Sequence, residues 1–254
     1  MKQVLEKLNR PPFWAALCAA EATVILCLCF VFTLKTTAPP RVDTPVLTSA
    51  VWSEEKQSFA ESNPYYQERE ALFTRFCEGP VDLCCLGDSI TQKFEWQGAL
   101  SGWTVANRGI GSDTTEGMLA RLDSVIMLEP RAISLMAGVN DLSLGRTPEE
   151  IIETYRALLD EILLYLPDVE IIVNSVLPVT VYNGVNSEDI QALNLLLKDL
   201  CKEREIPYLD MFWSFADESG NLLPGYAIDS VHLSPDGFAL WLSYLEPAVS
   251  AALR

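Results

Sequence analysis

Histidine is all but missing from this chain: of 254 residues, only His232 is a histidine. Zinc sites that draw on two or three imidazoles are thereby excluded. The seven cysteines do not replace them, because none shows a metal-ligand spacing such as CxxC. Positive charge is also scarce. Eighteen Lys and Arg stand against 35 Asp and Glu, a net charge of -17. Residues 1–35 contribute +2, which leaves -19 for the rest of the chain. That excess argues against binding nucleic acid or anionic lipid surfaces through charge. The one glycine-rich loop is too short for a phosphate-binding P-loop and lacks its lysine. A metal or an organic cofactor is not expected.

What is present is apolar substance. Hydrophobic residues make up 49% of the chain and charged residues 21%, the balance of a globular protein with a large core. The length suits one domain of about 200 residues plus an appendage. The appendage is N-terminal. Phe13 to Leu34 form an apolar stretch of 22 residues, preceded by Lys2, Lys7 and Arg10. About 20 such residues span a bilayer as a helix, and flanking positive charge stays in the cytoplasm. The expectation is a cytoplasmic tail and transmembrane signal-anchor over 1–35, with the domain outside the cytoplasm. Glu21 interrupts the stretch. The shorter run from Ala22 to Leu34 fits the alternative of a cleaved signal peptide and a secreted protein. Residues 36–62 hold Pro39, Pro40 and Pro45 with little periodicity and read as a linker or stalk. The domain then covers 63–254.

Cys18, Cys27 and Cys29 lie in the N-terminal apolar run and serve as small apolar residues. Cys77, Cys84, Cys85 and Cys201 lie in the domain, where core packing and disulfide formation both stay open. Cys84 and Cys85 are adjacent in a strand-like run, so their side chains point to opposite faces.

Strand and helix signals alternate through the domain. Short apolar runs at 81–86, 105–106, 132–137, 170–177 and 206–211 read as strands. Between them, Asp113 with Glu116 makes a candidate capping box. Thr147-Pro148-Glu149-Glu150 makes a stronger one, opening the helical series Ile151, Tyr155, Leu158, Leu159 and Ile162. Asn186 can cap a helix whose buried stripe is Ile190, Leu193, Leu197 and Leu200. Ser234-Pro235 opens a last helix. This alternation implies an α/β sandwich with a parallel sheet whose strand C-termini share one edge, where ligands bind.

Four blocks fall at that edge. Gly87-Asp88-Ser89-Ile90 puts a serine where a strand turns into a helix. Asn107 to Thr115 is glycine-rich and precedes a helix. Gly138-Val139-Asn140-Asp141 follows the third strand, and an asparagine there can donate to a developing oxyanion. Asp229-Ser230-Val231-His232 lets one segment deliver a carboxylate and an imidazole together. Each block alone has an ordinary reading as a cap or turn. Their conjunction, with the sole histidine in the last, is the stronger signal.

In these blocks the sequence resembles the SGNH hydrolase superfamily, also called GDSL-type esterases, over about 190 residues from around Tyr65. It looks closest to the branch with platelet-activating-factor acetylhydrolase-like and sialate O-acetylesterase-like proteins. The resemblance implies a three-layer flavodoxin-like sandwich with a five-stranded parallel sheet. It implies Ser89 as nucleophile, His232 as general base and Asp229 as the acid that orients it. The implied oxyanion donors are the Ser89 N–H, an N–H of the second block and Asn140. Where the family has a donor glycine, this chain has Ser112, which keeps the N–H in a backbone conformation serine tolerates less well. Trp96, Trp103 and Tyr182 are candidates for lining the pocket, against core or rim roles. The expected activity is hydrolysis of short-acyl esters, acetyl above all, on small molecules or glycans. A lysophospholipase or thioesterase would use the same blocks, and a membrane-tethered binding protein on an inactive hydrolase fold is the reading of another class.

Overall fold

A computed structural model describes residues 63–77 and 79–254. The expected signal-anchor and linker lie outside the described residues. The strands are β1 (Leu83–Gly87), β2 (Val105–Gly109), β3 (Ala132–Met136), β4 (Glu170–Asn174) and β5 (Tyr208–Leu209). They form one parallel sheet in the order β2-β1-β3-β4-β5. That is the flavodoxin-like order, with its switch point between β1 and β3. Every residue of β1 and β3 is buried, as strands covered on both faces must be.

The helices in chain order are α1 (Pro64–Arg75), α2 (Ser89–Gln92), α3 (Trp96–Ala99), α4 (Thr115–Ala120) and α5 (Asp123–Ile126). They continue with α6 (Val139–Ser143), α7 (Pro148–Tyr165), α8 (Ser187–Glu203), α9 (Phe212–Phe215) and α10 (Pro235–Ala252). Right-handed crossovers divide them between the two faces. Trp96 of α3 meets Trp241 of α10 edge to face, with ring centroids 4.9 Å apart, on one side. Helices α4, α7 and α8 pack together on the other. Helix α7 carries the expected capping box: Glu150 N–H donates to Thr147 Oγ1 and Thr147 N–H to Glu150 Oε2. Asn186 caps α8 and Ser234 caps α10 through their side chains.

Several sequence expectations shift, among them the fifth strand, expected over 206–211, which runs only over Tyr208–Leu209. Thr114, not Asp113, caps α4, because the Asp113 carboxylate is taken by the buried Arg121 guanidinium at 2.8 Å. Strand β2 extends to Gly109, whose N–H donates to Asn107 Oδ1. Strand β4 stops at Asn174, and Val176 is held instead by both ends of the Asn194 amide. Among the described residues Cys77, Cys84, Cys85 and Cys201 carry free thiols, and the last three are buried in the core. No helix among the described residues is long and apolar enough to cross a membrane.

Candidate active site

Ser89 is the first residue of α2, directly after β1. Asp88 caps that helix by accepting the Ile90 N–H at 2.9 Å. The cap turns the chain sharply enough to leave the Ser89 side chain at the carboxyl edge of the sheet, half-buried. Gly87 fits beneath this turn because any side chain there would collide with Thr91 and the Met136 carbonyl.

His232 arrives from the other end of the chain. An antiparallel bridge between Ala227 and Leu233 and the Ile228 N–H to His232 O bond close a tight loop. Inside it, Asp229 Oδ1 accepts the backbone N–H groups of Val231 and His232 at 2.9 and 2.7 Å. This local turn, a habit of aspartate, fixes the carboxylate. Its other oxygen then lies 2.7 Å from His232 Nδ1, and His232 Nε2 lies 2.9 Å from Ser89 Oγ. Partial desolvation pushes the Asp229 carboxyl up, but the His232 and Val231 N–H groups and the imidazole outweigh it and hold the group at about 2. Asp229 is therefore an anion at neutral pH, suited to keeping a proton on Nδ1 and leaving Nε2 free to accept one.

Two further segments carry the donors expected of an oxyanion site. Ser112 sits in the turn closed by the Asp113 N–H to Ile110 O bond, with φ 62° in the left-handed region. That is the strained backbone expected for serine in a glycine's place. The Gly111 N–H beside it is held by Gln92 Oε1. Asn140 is buried in α6. Its Nδ2 donates to the Asp113 carbonyl at 2.9 Å, and its Oδ1 accepts from the Tyr182 hydroxyl at 2.8 Å. An amide nitrogen carries two N–H donors, so one remains for a substrate.

Buried charge braces these segments. Arg121 reaches Asp113 through Nε and donates through Nη2 to the carbonyls of Gly87 and Arg108, linking the ends of β1 and β2 to the Ser112 turn. Asp141 accepts from the Thr115 hydroxyl and N–H and from Arg146 Nη1. Arg146 also pairs with Glu116. Sequence reasoning missed Arg121 and Arg146. No local spacing marks them, since Arg121 stands eight residues from Asp113, and Arg146 stands five from Asp141 and 30 from Glu116.

Of the aromatic candidates, Tyr182 reaches the site. Trp96 does not stand open to it: the side chain is 2% exposed, donates Nε1–H to Thr91 O and packs against Phe94 and Trp241. Trp103 packs against the core and accepts Gln97 Nε2–H at its carbonyl. No group of three or more metal-ligating side chains occurs among the described residues.

A parallel α/β sandwich that carries a hydrogen-bonded serine, imidazole and carboxylate at its carboxyl edge has the layout of a serine ester hydrolase. The family model described as GDSL-like Lipase/Acylhydrolase matches residues 85–240, and the chain belongs to that family of ester hydrolases. Platelet-activating factor acetylhydrolase IB subunit alpha2 of Rattus norvegicus is 28% identical over 165 residues, 62% of this chain and 71% of that one. Among solved structures, a GDSL-like lipase from Bacteroides thetaiotaomicron superposes with a TM-score of 0.62 at 22% identity, covering 77% of this chain and 99% of that one. An acetyl-xylooligosaccharide esterase from Geobacillus, as a W190I mutant, gives 0.54 at 20% identity, covering 67% and 94%.

Proposed function

We propose that this protein hydrolyses short-acyl esters, acetyl above all, through an acyl-enzyme on Ser89. The observation that carries the reading is the unbroken relay from Asp229 to His232 to Ser89 at 2.7 and 2.9 Å. Ser89 Oγ attacks the ester carbonyl while His232 Nε2 takes the hydroxyl proton. The carbonyl oxygen becomes an oxyanion facing the N–H groups of Ser89 and Ser112 and the remaining Asn140 Nδ2–H. As the C–O bond breaks, His232 returns the proton to the leaving alcohol. Water then attacks the acyl-enzyme by the same route and releases the carboxylic acid.

The short-acyl preference draws on the 28%-identical acetylhydrolase and on an open site, since Ser112 and Asp229 are exposed. An open rim admits a bulky leaving group such as a glycan, and the fold carries sugar deacetylation in the Geobacillus enzyme. A long-chain reading, lysophospholipase or thioesterase, has one observation in its favour. Val181 and Ile228, neighbours of Tyr182 and Asp229, are 75% and 59% exposed and offer apolar contact at the rim. An acetyl, butyryl and octanoyl ester series separates the two: turnover should peak at acetyl, and a peak at octanoyl overturns the short-acyl assignment. Ser89→Ala should abolish turnover of p-nitrophenyl acetate and labelling by a fluorophosphonate probe. Activity that survives it sinks the mechanism. The expected N-terminal signal-anchor adds a location outside the cytoplasm. Protection of the domain from external protease in intact cells would refute that location.

A further inference from the structure

The Asn140 amide has only one orientation compatible with its surroundings. The Asp113 carbonyl, 2.9 Å away, can accept but not donate, so Nδ2 must face it. Oδ1 consequently faces Tyr182, and the Tyr182 hydroxyl, able to act either way, must be the donor at 2.8 Å. Desolvation pushes the Tyr182 phenol above its ordinary value, which keeps it protonated as a donor. A hydroxyl that donates to an amide oxygen draws electron density from the nitrogen. The N–H groups of that amide become better donors, because hydrogen bonds in series polarise one another.

The segment that carries Tyr182 also touches the other half of the site. Thr180 N–H donates to Ser230 O at 2.9 Å, between Asp229 and His232 in the chain. The Val185 N–H to Tyr182 O bond closes a turn that holds the aromatic residue in place. A stretch of three residues thus connects the asparagine of α6 to the imidazole-bearing loop.

We propose that Tyr182 is a positioning residue for the oxyanion hole: its hydroxyl fixes and polarises the Asn140 amide, and its loop keeps that amide in register with the Asp229–His232 turn. This rests on the reading of Asn140 as an oxyanion donor. It departs from a role for Tyr182 as a wall of the substrate pocket, in which the ring, not the hydroxyl, does the work.

The two roles part in a double-mutant cycle on the full chain, read with p-nitrophenyl acetate. Tyr182→Phe keeps the ring and removes the hydroxyl, with its bonds to Asn140 and Ser143, so kcat should fall roughly 3–10-fold with KM within about twofold. Asn140→Ala should lower kcat by about 100–1,000-fold, the usual cost of losing an oxyanion donor. In the Asn140→Ala background, Tyr182→Phe should cost nothing further, because its target is gone. An equal loss in both backgrounds, or a change confined to KM, overturns the positioning role while leaving Asn140 its own. An unchanged kcat in Asn140→Ala removes the oxyanion reading and the proposal with it. If Asn140→Ala does not fold, Asn140→Ser replaces it in the cycle with the same criteria.

Discussion

His232 Nε2 lies 2.9 Å from Ser89 Oγ although 143 positions separate the two residues in the chain. The approach is set by two local devices, a helix cap at Asp88 and an aspartate turn at Asp229, each of which fixes one side chain before the other is considered. The roles of the parts can be tested one at a time.

Asp229 orients the imidazole through one oxygen and builds its own turn through the other. Asp229→Asn should therefore retain the turn and the fold but present an N–H or a neutral oxygen to Nδ1, favouring the wrong tautomer. We expect kcat on p-nitrophenyl acetate to fall by about 100–10,000-fold with the melting temperature little changed, the larger figure being the cost of such a swap at a buried triad. Half of the Asp229 side chain is exposed, and solvent can replace part of its influence. A loss below tenfold would show that His232 needs no carboxylate.

Ser112 pays a left-handed backbone penalty of roughly 1–2 kcal/mol that glycine escapes. Ser112→Gly should keep activity and leave stability unchanged or higher by up to about 1 kcal/mol, the unfolded-chain entropy of glycine offsetting part of the gain. Ser112→Val, β-branched at the same φ, should lower both stability and kcat. Equal behaviour of the two variants in urea unfolding would mean that the turn does not hold this conformation in solution.

Arg121 is fully buried against Asp113 and two strand-end carbonyls. Arg121→Met fills similar space but leaves a buried carboxylate without its cation. Such removals cost about 3–5 kcal/mol. Denaturant unfolding should show a loss of that size, and one below about 1 kcal/mol would mean that Asp113 is compensated by other groups.

Asp88 is buried beside Ser89. Burial pushes its carboxyl up, opposed by the Ile90 N–H and reinforced by the Asp113 and Asp141 charges, to about 7 from 3.8. The folded group holds its proton to higher pH than the unfolded one. It therefore costs nothing below about pH 4, costs progressively more as pH rises, and costs its full amount above about pH 7. Asp88→Asn keeps the cap and removes this cost. Its melting temperature should exceed the parent's by several degrees at pH 8 and match it at pH 4. A constant difference across that range would place the titration elsewhere.

The fold was readable because its signals are local. Buried strands write themselves as apolar runs, and Thr147-Pro148-Glu149-Glu150 holds all it needs within four residues. Ser89, Asn140, Asp229 and His232 were readable for a related reason, since each follows a strand and the topology gathers strand ends. What could not be read depends on partners distant in sequence. Asp113 looked like a cap because its claimant, Arg121, declares itself only once α4 has formed. Trp96 looked like a pocket wall because its neighbour Trp241 lies far along the chain. The Asn140 amide is oriented by the Asp113 carbonyl, 27 residues away, and its oxygen meets Tyr182, 42 residues away and in a loop without periodicity.

The long separation of Ser89 and His232 also bears on biosynthesis. During translation the serine emerges early, just after the first strand of the sheet, while the only imidazole emerges just before the last helix. For most of that interval the nascent polypeptide holds an ordinary, unactivated alcohol. Under the proposed mechanism, reactivity towards esters switches on when the Asp229–His232 turn docks, so a chain truncated before Asp229 should be inert however well its earlier strands had assembled.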